Sequence, residues 1–300
     1  MDLVAIINCM MNPSSLIMLL VNTLKLTMLL FLLASGLSLI FGTLEILNFA
    51  HGSLYMIGSY LTYVAIKRMS GYAFALVFVC LAMAIFGFLL ERLLVRRIYG
   101  ASLFYQLLLT YGLVLVLDDV VKLVWGSEYL TVEIPQIFQR KPIVFMGSVT
   151  PFYSAFTIVI GAVVALFLWI FFTRTKLGKT ISAMSEDQEM LQALGINVPL
   201  LYSFVFALGT CLAGLGGILS VPLLSAYPGM GFSVIIYSFI VVVIGGLGDI
   251  RGAFVGAFLL GLVKSMAVIG FRDYEELAPF ALMVIVLVLR PQGLFGIKHA

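Results

Sequence analysis

The sequence predicts an all-α polytopic integral membrane protein, one membrane domain over residues 1–300 with roughly eight to ten transmembrane or re-entrant helices. Three observations predict it. The chain is 63% hydrophobic and only 10% charged, with a mean hydropathy of +1.18. A soluble domain of this length could not keep its surface wet at that charge level, so the bilayer is the solvent. Apolar runs long enough to cross a bilayer recur along the chain, and Lys and Arg concentrate in the short segments between them.

Crossing a bilayer takes about 20 apolar residues. Runs near 16–40, 52–66, 72–90, 102–124, 152–172, 200–224, 232–247, 253–270 and 278–290 meet or approach that length. The first is too long for a signal peptide, and no small-x-small cleavage site follows it, so it reads as a retained helix. The second and the last are short. Short, Gly-interrupted segments can form broken or re-entrant helices instead of full spans.

Positive charge sets the orientation, and its location matters more than the net +3. Arg92, Arg96, Arg97, Arg174, Lys176, Lys179, Arg251, Arg290 and Lys298 fall on one side if the runs alternate. Lys67, Arg68, Arg140, Lys141 and Arg272 fall on the other, diluted by Glu128, Glu133, Asp273, Glu275 and Glu276. Nine against five makes the first side cytoplasmic and the C-terminus internal. The N-terminus is external if all nine runs cross, and internal if the stretch from Glu45 to Ile66 only dips in and returns.

Two connections exceed a turn. The external one, 125–151, has β-branched alternation and turn residues suited to a small hairpin. The cytoplasmic one, 173–199, carries Ser185 and Gln188 as a capping box, with Glu186 and Asp187 in the first turn where the helix dipole favours anions. Gly195 is a natural residue just past the helix end, and Pro199 suits the first turn of the next span. A helix of about nine residues is expected between them. Ala183, Met184, Leu191 and Leu194 give this region an apolar side, which Gln188 interrupts.

Cys9, Cys80 and Cys211 are scattered and read as small hydrophobes. With only His51 and His299 as histidines and no closely spaced Cys pair, no metal site follows. "LGKT" (177–180) ends like a phosphate-binding loop, but Thr173 stands where the motif needs its first Gly, and a membrane helix precedes it instead of a strand. "GLGD" (246–249) is similar to the pattern around a catalytic Asp of presenilin-like intramembrane proteases. That chemistry needs a second carboxylate sharing a proton. The candidates, Asp118 and Asp119, fall at the opposite end of a span from Asp249, with Lys122 placed to neutralise Asp118.

Two constellations remain. In "LEILNFAHGSLYMIGSYL" (44–61), a continuous helix would put Glu45, Asn48 and Gly52 on one face, with His51 a turn from Asn48. An ionisable group facing lipid costs roughly 3 kcal/mol or more, so these residues must face protein, a water-filled path or the inner boundary. They read either as a path or gating element, or as a cap and clamp at a helix break near the inner surface. In "VVVIGGLGDIRGAFVGAFLLG" (241–261), Gly248, Gly252 and Gly256 recur every fourth residue, a spacing that lets helices approach closely in lipid. "GTLEI" (42–46) and "GLGDI" (246–250) hint at an internal repeat.

These residues carry a family resemblance. "GLSLIFGTLEILNFAHGSLYMIGSYL" (36–61) resembles the N-terminal signature of bacterial ABC-importer permeases for branched-chain amino acids, the LivH type, G-L-x-L-x-F-G-x-x-x-I-x-N-F-A-H-G-x-x-x-M-x-G-A-Y, with Ser59 where Ala is usual. The glycine block 241–261 resembles the second signature, and "LRPQGLFG" (289–296) is similar to the C-terminal ending. "SEDQEMLQALGINV" (185–198) looks like the cytoplasmic loop, with Met184 and Met190 replacing small residues.

The resemblance implies a membrane-spanning subunit, not an enzyme, with an ABC-permease fold in a bacterial inner membrane. It implies a second related permease, two ABC ATPases that carry ATP and Mg while this chain binds no cofactor, and a periplasmic binding protein that delivers Leu, Ile or Val. Nucleic acid is not expected as a partner. Ser185, Glu186, Asp187, Gln188, Leu191, Leu194 and Gly195 then form the element that couples to the ATPase, while Glu45, Asn48, His51 and Gly52 border the path. The alternatives are a permease for related small solutes such as urea, amides or other amino acids, and a stand-alone proton-coupled transporter using Glu45 and His51.

Overall fold

The computed structural model describes residues 11–68, 71–134, 136–139, 142–145, 147–270 and 272–296. Cys9, Arg140, Lys141, Lys298 and His299 lie outside them. Among the described residues, nine helices occupy the nine apolar runs: α1 (Pro13–Leu44), α2 (His51–Arg68), α3 (Tyr72–Leu93), α4 (Leu103–Trp125), α5 (Phe152–Arg174), α8 (Val198–Leu224), α9 (Met230–Gly245), α10 (Ile250–Gly270) and α11 (Ala278–Leu289). Two short helices, α6 (Lys176–Met184) and α7 (Gln188–Ala193), lie in the connection 173–199. Among the described residues, α1, α3, α5, α8 and α10 are long and apolar enough to cross a membrane, while α9 and α11 are apolar but shorter. In the connection 125–151, β1 (Ile143–Phe145) pairs antiparallel with β2 (Ser148–Thr150), with Val144 opposite Val149.

The helices gather into two compact units. The first holds the described residues of Met1–Ala34, Ile134–Val163 and Tyr237–Ala300, the second those of Ser35–Glu133 and Val164–Ile236.

In the first unit, small residues bring backbones together. A methyl group on Gly261 would sit 2.8 Å from Thr27 Oγ1, and one on Gly256 would meet the Val241 carbonyl, so α10 lies directly on α1 and on the end of α9. Gly252 abuts Gly245 in the same way. Gly248 lies outside α10. It stands in the turn before α10 with φ +85°, so the fourth-residue spacing continues past the end of the helix and serves a turn there. The chain beyond α11 returns onto α9: Leu294 N–H donates to the Ile244 carbonyl and Phe295 N–H to the Gly245 carbonyl, both at 2.9 Å.

The second unit is built on α8. Its buried Ser203, Thr210, Gly214 and Ile218 follow a helical period and meet α3. α3 turns Ala75, Val79, Met83 and Gly87 inward and leaves Phe74, Phe78, Leu81, Ile85 and Leu89 exposed, the stripe a lipid-facing helix needs. At one end of the unit, Ser203 contacts Arg96. At the other, Leu130 and Ala226 pair through both backbone bonds, and Tyr60 lies 5.2 Å from Trp125. α2 is an 18-residue helix that begins near the middle of α8 and rises to the Trp125 end, with Gly58 on Gly214 and Gly217 on the Tyr55 carbonyl.

Candidate functional site

Residues 44–60 do not form one helix. α1 ends at Leu44, Glu45 adopts φ +54°, residues 45–48 are irregular, and a turn in which His51 N–H donates to the Asn48 carbonyl at 3.2 Å opens α2. The face that a continuous helix would have shared is therefore broken. Glu45 points to the exterior, within electrostatic range of Tyr202 at the Arg96 end. Asn48, His51 and Gly52 are buried together. The His51 ring packs 3.0 Å from where a methyl on Gly36 would lie, and that methyl would also meet the Gly209 carbonyl at 2.6 Å. The Leu47 carbonyl accepts from Thr110 Oγ1 at 3.3 Å. Asn48 is only 1% exposed, yet neither carboxamide atom has a hydrogen-bond partner among the described residues. The same holds for Ser53 Oγ in the first turn of α2.

A second break faces the first. α8 ends at Leu224, and Ser225 adopts φ +58° and ψ +158°. The connection to α9 then passes Asp118: a methyl on Gly229 would lie 4.0 Å from Asp118 Oδ2. α9 opens directly against α2, since a methyl on Gly231 would fall 2.7 Å from the Gly52 carbonyl and 2.9 Å from Ser53 N. Lys122 bonds Asp119 at 2.9 Å and also lies within electrostatic range of Asp118, one turn away. Asp118 Oδ1 is buried without a partner among the described residues.

The connection 173–199 differs from expectation in its caps. Ser185 ends α6: its hydroxyl donates to the Ser182 carbonyl at 2.7 Å. Asp187 is the N-cap of α7, accepting from Met190 N–H at 2.8 Å, and Glu186 stands before the helix in exposed backbone. The expected nine-residue helix is therefore six residues long. A carboxylate is a strong cap acceptor, and here it wins over the serine two residues upstream. Gly195, φ +80°, closes α7 with paired bonds, its own N–H to the Gln192 carbonyl and Ile196 N–H to the Leu191 carbonyl. Leu191 is buried, while Met190 is 60% and Leu194 70% exposed.

The side chains that tie α7 to the spans escaped the sequence reading. Tyr202 on α8 donates to Gln188 Oε1, and its ring lies 5.0 Å from Tyr99. The Tyr99 hydroxyl donates to Glu91 Oε1 at 2.6 Å. Glu91, fully buried, also takes Arg96 Nε and Nη2 at 3.1 Å each and Ser203 Oγ at 2.5 Å. Arg96 Nη2 reaches on to the Pro199 carbonyl at 3.0 Å. Burial, then the bond to Glu91, pushes the Tyr99 phenol well above its usual range, so it stays a donor. The available signal was a lone carboxylate in an apolar run with an Arg five residues later, past the helix end.

Neither decoy motif keeps its chemistry. Thr175 Oγ1 accepts from Gly178 N–H at 3.0 Å and starts α6, so "LGKT" is helix. Asp249 Oδ1 accepts from Gly252 N–H at 2.8 Å and caps α10. Glu45 instead ends a helix, so "GTLEI" and "GLGDI" are not structural equivalents.

Residues 19–287 match the family model described as "Branched-chain amino acid transport system / permease component". Over 278 residues the chain is 31% identical to the high-affinity branched-chain amino acid transport system permease protein BraD of Pseudomonas aeruginosa, covering 88% of this chain and 91% of that one. Over 285 residues it is 28% identical to the corresponding permease protein LivH of Escherichia coli, covering 88% and 90%. Its fold resembles PsaBC from Streptococcus pneumoniae in complex with Fab, with a TM-score of 0.51 at 14% identity over 91% of this chain and 92% of that one. With the match running through both breaks and the connection 173–199, this multi-pass membrane chain belongs to the family of branched-chain amino acid transport permease components, which are transport subunits and not enzymes.

Proposed function

We propose that this chain is the membrane subunit of an ATP-driven importer for Leu, Ile and Val in a bacterial inner membrane. It pairs with a second, related permease to form the path. Two ATPase subunits, which hold ATP and Mg, dock on the cytoplasmic side, and a periplasmic binding protein delivers substrate to the outer side, where the hairpin connection 125–151 offers a surface. Residues 1–300 act as one permease domain with the C-terminus in the cytoplasm. The close glycine contacts at Gly252 and Gly256 keep neighbouring spans in register as the path moves.

One observation carries the reading: α7 presents an apolar tip, Met190 and Leu194, while its base is bonded to α8 through Gln188 and Tyr202. A short helix of that kind suits insertion into a groove on a partner, with the Glu186 and Asp187 carboxylates at the rim. Push on α7 then passes to α8 and α3 through Tyr202, Tyr99 and Glu91. Glu45, Asn48, His51 and Gly52 border the path at its break.

The test is mild-detergent purification of the tagged chain from its native membrane, identification of partners by mass, and reconstitution in vesicles. Co-purification of two ATPases and a second permease, with ATP-dependent leucine uptake when the binding protein is added, is the expected result. Recovery of the chain alone in a preparation that still transports would reject it.

A further inference from the structure

α2 and α9 both begin inside the second unit, and their first turns touch. Gly231 lies against the Gly52 carbonyl and Ser53 N, while a methyl on Gly52 would fall 2.8 Å from Ile235 Cβ. The first turn of a helix has N–H groups with no intrahelical acceptor. Each such end carries roughly half a positive charge. Two of them brought together in a buried, weakly screened place attract an anion. Beside them stand two polar side chains, each 1% exposed, with no bond to satisfy them: the carboxamide of Asn48, the residue whose backbone carbonyl accepts from His51 N–H in the turn into α2, and Ser53 Oγ in the first turn. Buried polar groups are rarely left in that condition unless something else completes them. Near the α9 start, Asp118 Oδ1 is also buried without a hydrogen bond among the described residues, with Lys122, one turn along its helix and bonded to Asp119, within electrostatic range.

We infer that this junction is a transient station for the polar head of a zwitterionic amino acid, its carboxylate taken by the α2 and α9 N-termini with Asn48 and Ser53, its ammonium by Asp118. The inference rests on the importer reading and deepens it. The glycine contact between Gly52 and Gly231 is the station closed. Parting the two helix ends exposes the donors, and closing them again releases the substrate. Broken helices in other transporters aim N-termini at anionic substrate groups by the same physics. The apolar side chain needs no dedicated pocket here, since a binding protein has already selected it.

The experiment uses the assembled permease–ATPase complex in nanodiscs, with radiolabelled L-leucine as probe and leucinamide and 4-methylpentanoate as competitors. The expected result is leucine binding that leucinamide, lacking the carboxylate, displaces poorly. Asn48→Asp, isosteric and compatible with a helix start but negatively charged, should weaken leucine binding roughly tenfold or more, and Asn48→Ala somewhat less. Asp118→Asn should weaken leucine but leave 4-methylpentanoate unchanged. The station is overturned if leucinamide competes as well as leucine, or if Asn48→Asp binds leucine like the wild type in a complex with intact ATPase activity. It is also overturned if wild-type complex binds no leucine yet still imports it with the binding protein, in which case the importer reading stands. A wild-type complex that imports neither Leu, Ile nor Val overturns that reading itself.

Discussion

The hydroxyl of Tyr202, on the first turns of α8, donates to the side-chain oxygen of Gln188, the first residue of α7. This bond is a direct side-chain tie between the short helix α7 and a buried span. Tyr202→Phe keeps the ring contact with Tyr99 and removes only the bond. The expected outcome is a complex that assembles normally but uses more ATP per leucine imported, about twofold to tenfold, since a neutral hydrogen bond contributes about 1 kcal/mol. Parallel measurement of phosphate release and uptake in vesicles checks it, and an unchanged ratio would place the tie outside the coupling route.

Glu91 and Arg96 should behave as a unit. Glu91→Ala leaves the Arg96 guanidinium, the Tyr99 hydroxyl and the Ser203 hydroxyl without their shared acceptor. Arg96 is a third exposed, so losing one partner here costs less than the ~3 kcal/mol of a fully buried pair, whereas replacing both with apolar residues is often neutral. Thermal denaturation of the purified subunit should therefore rank the Glu91→Met, Arg96→Met double variant above either single replacement. Strict additivity of the two losses would refute the pairing.

Gly58 should not tolerate growth. A methyl there would fall 2.7 Å from the Gly214 Cα, and backbone cannot yield as a flexible side chain can. Gly58→Ala is expected to force α2 from α8 at about 1–3 kcal/mol. Lower folded yield and a lower melting temperature would report it, while Gly112→Ala, with open space around it, serves as the matched control.

The exposed tip of α7 predicts a separation of folding from assembly. Met190→Ser with Leu194→Ser leaves buried Leu191 in place. The chain should fold with unchanged thermal stability but lose the ATPase during purification. Retention of the ATPase at wild-type stoichiometry would move the docking site elsewhere.

Much of the fold was legible because its main rule is local. A helix must supply its own backbone hydrogen bonds in lipid, so each apolar run became a helix with bounds only a few residues away. Gly195 and Pro199 were readable for the same reason. The break near Glu45 was legible as one of two alternatives, but its residue and its positive φ were not, since residues 43–50 hold no Gly or Pro. The cap on α7 went to Asp187 because Ser185 was already committed to the end of α6, a competition that a four-residue motif does not display. Glu91 and Gly231 were missed because their importance lies in contacts with residues more than a hundred positions away, Ser203 and Gly52 respectively.

Glu45 and Ser225 are the two non-glycine residues with positive φ among those described, and each follows a long helix and precedes a shorter one. Ser225 occupies a region that is nearly glycine-only, and such residues each cost on the order of 1–3 kcal/mol. α1 ends where α8 begins, as the proximity of Glu45 to Tyr202 records, so the two strained hinges serve helices of opposite chain direction. The expectation is that they act as opposed springs, so that relieving either one shifts the arrangement held between them. Relaxing one spring should bias the resting state: Ser225→Gly and Glu45→Gly are expected to shift spin-label distances across the path in opposite senses, and a shift in the same sense would show that the hinges do not oppose each other.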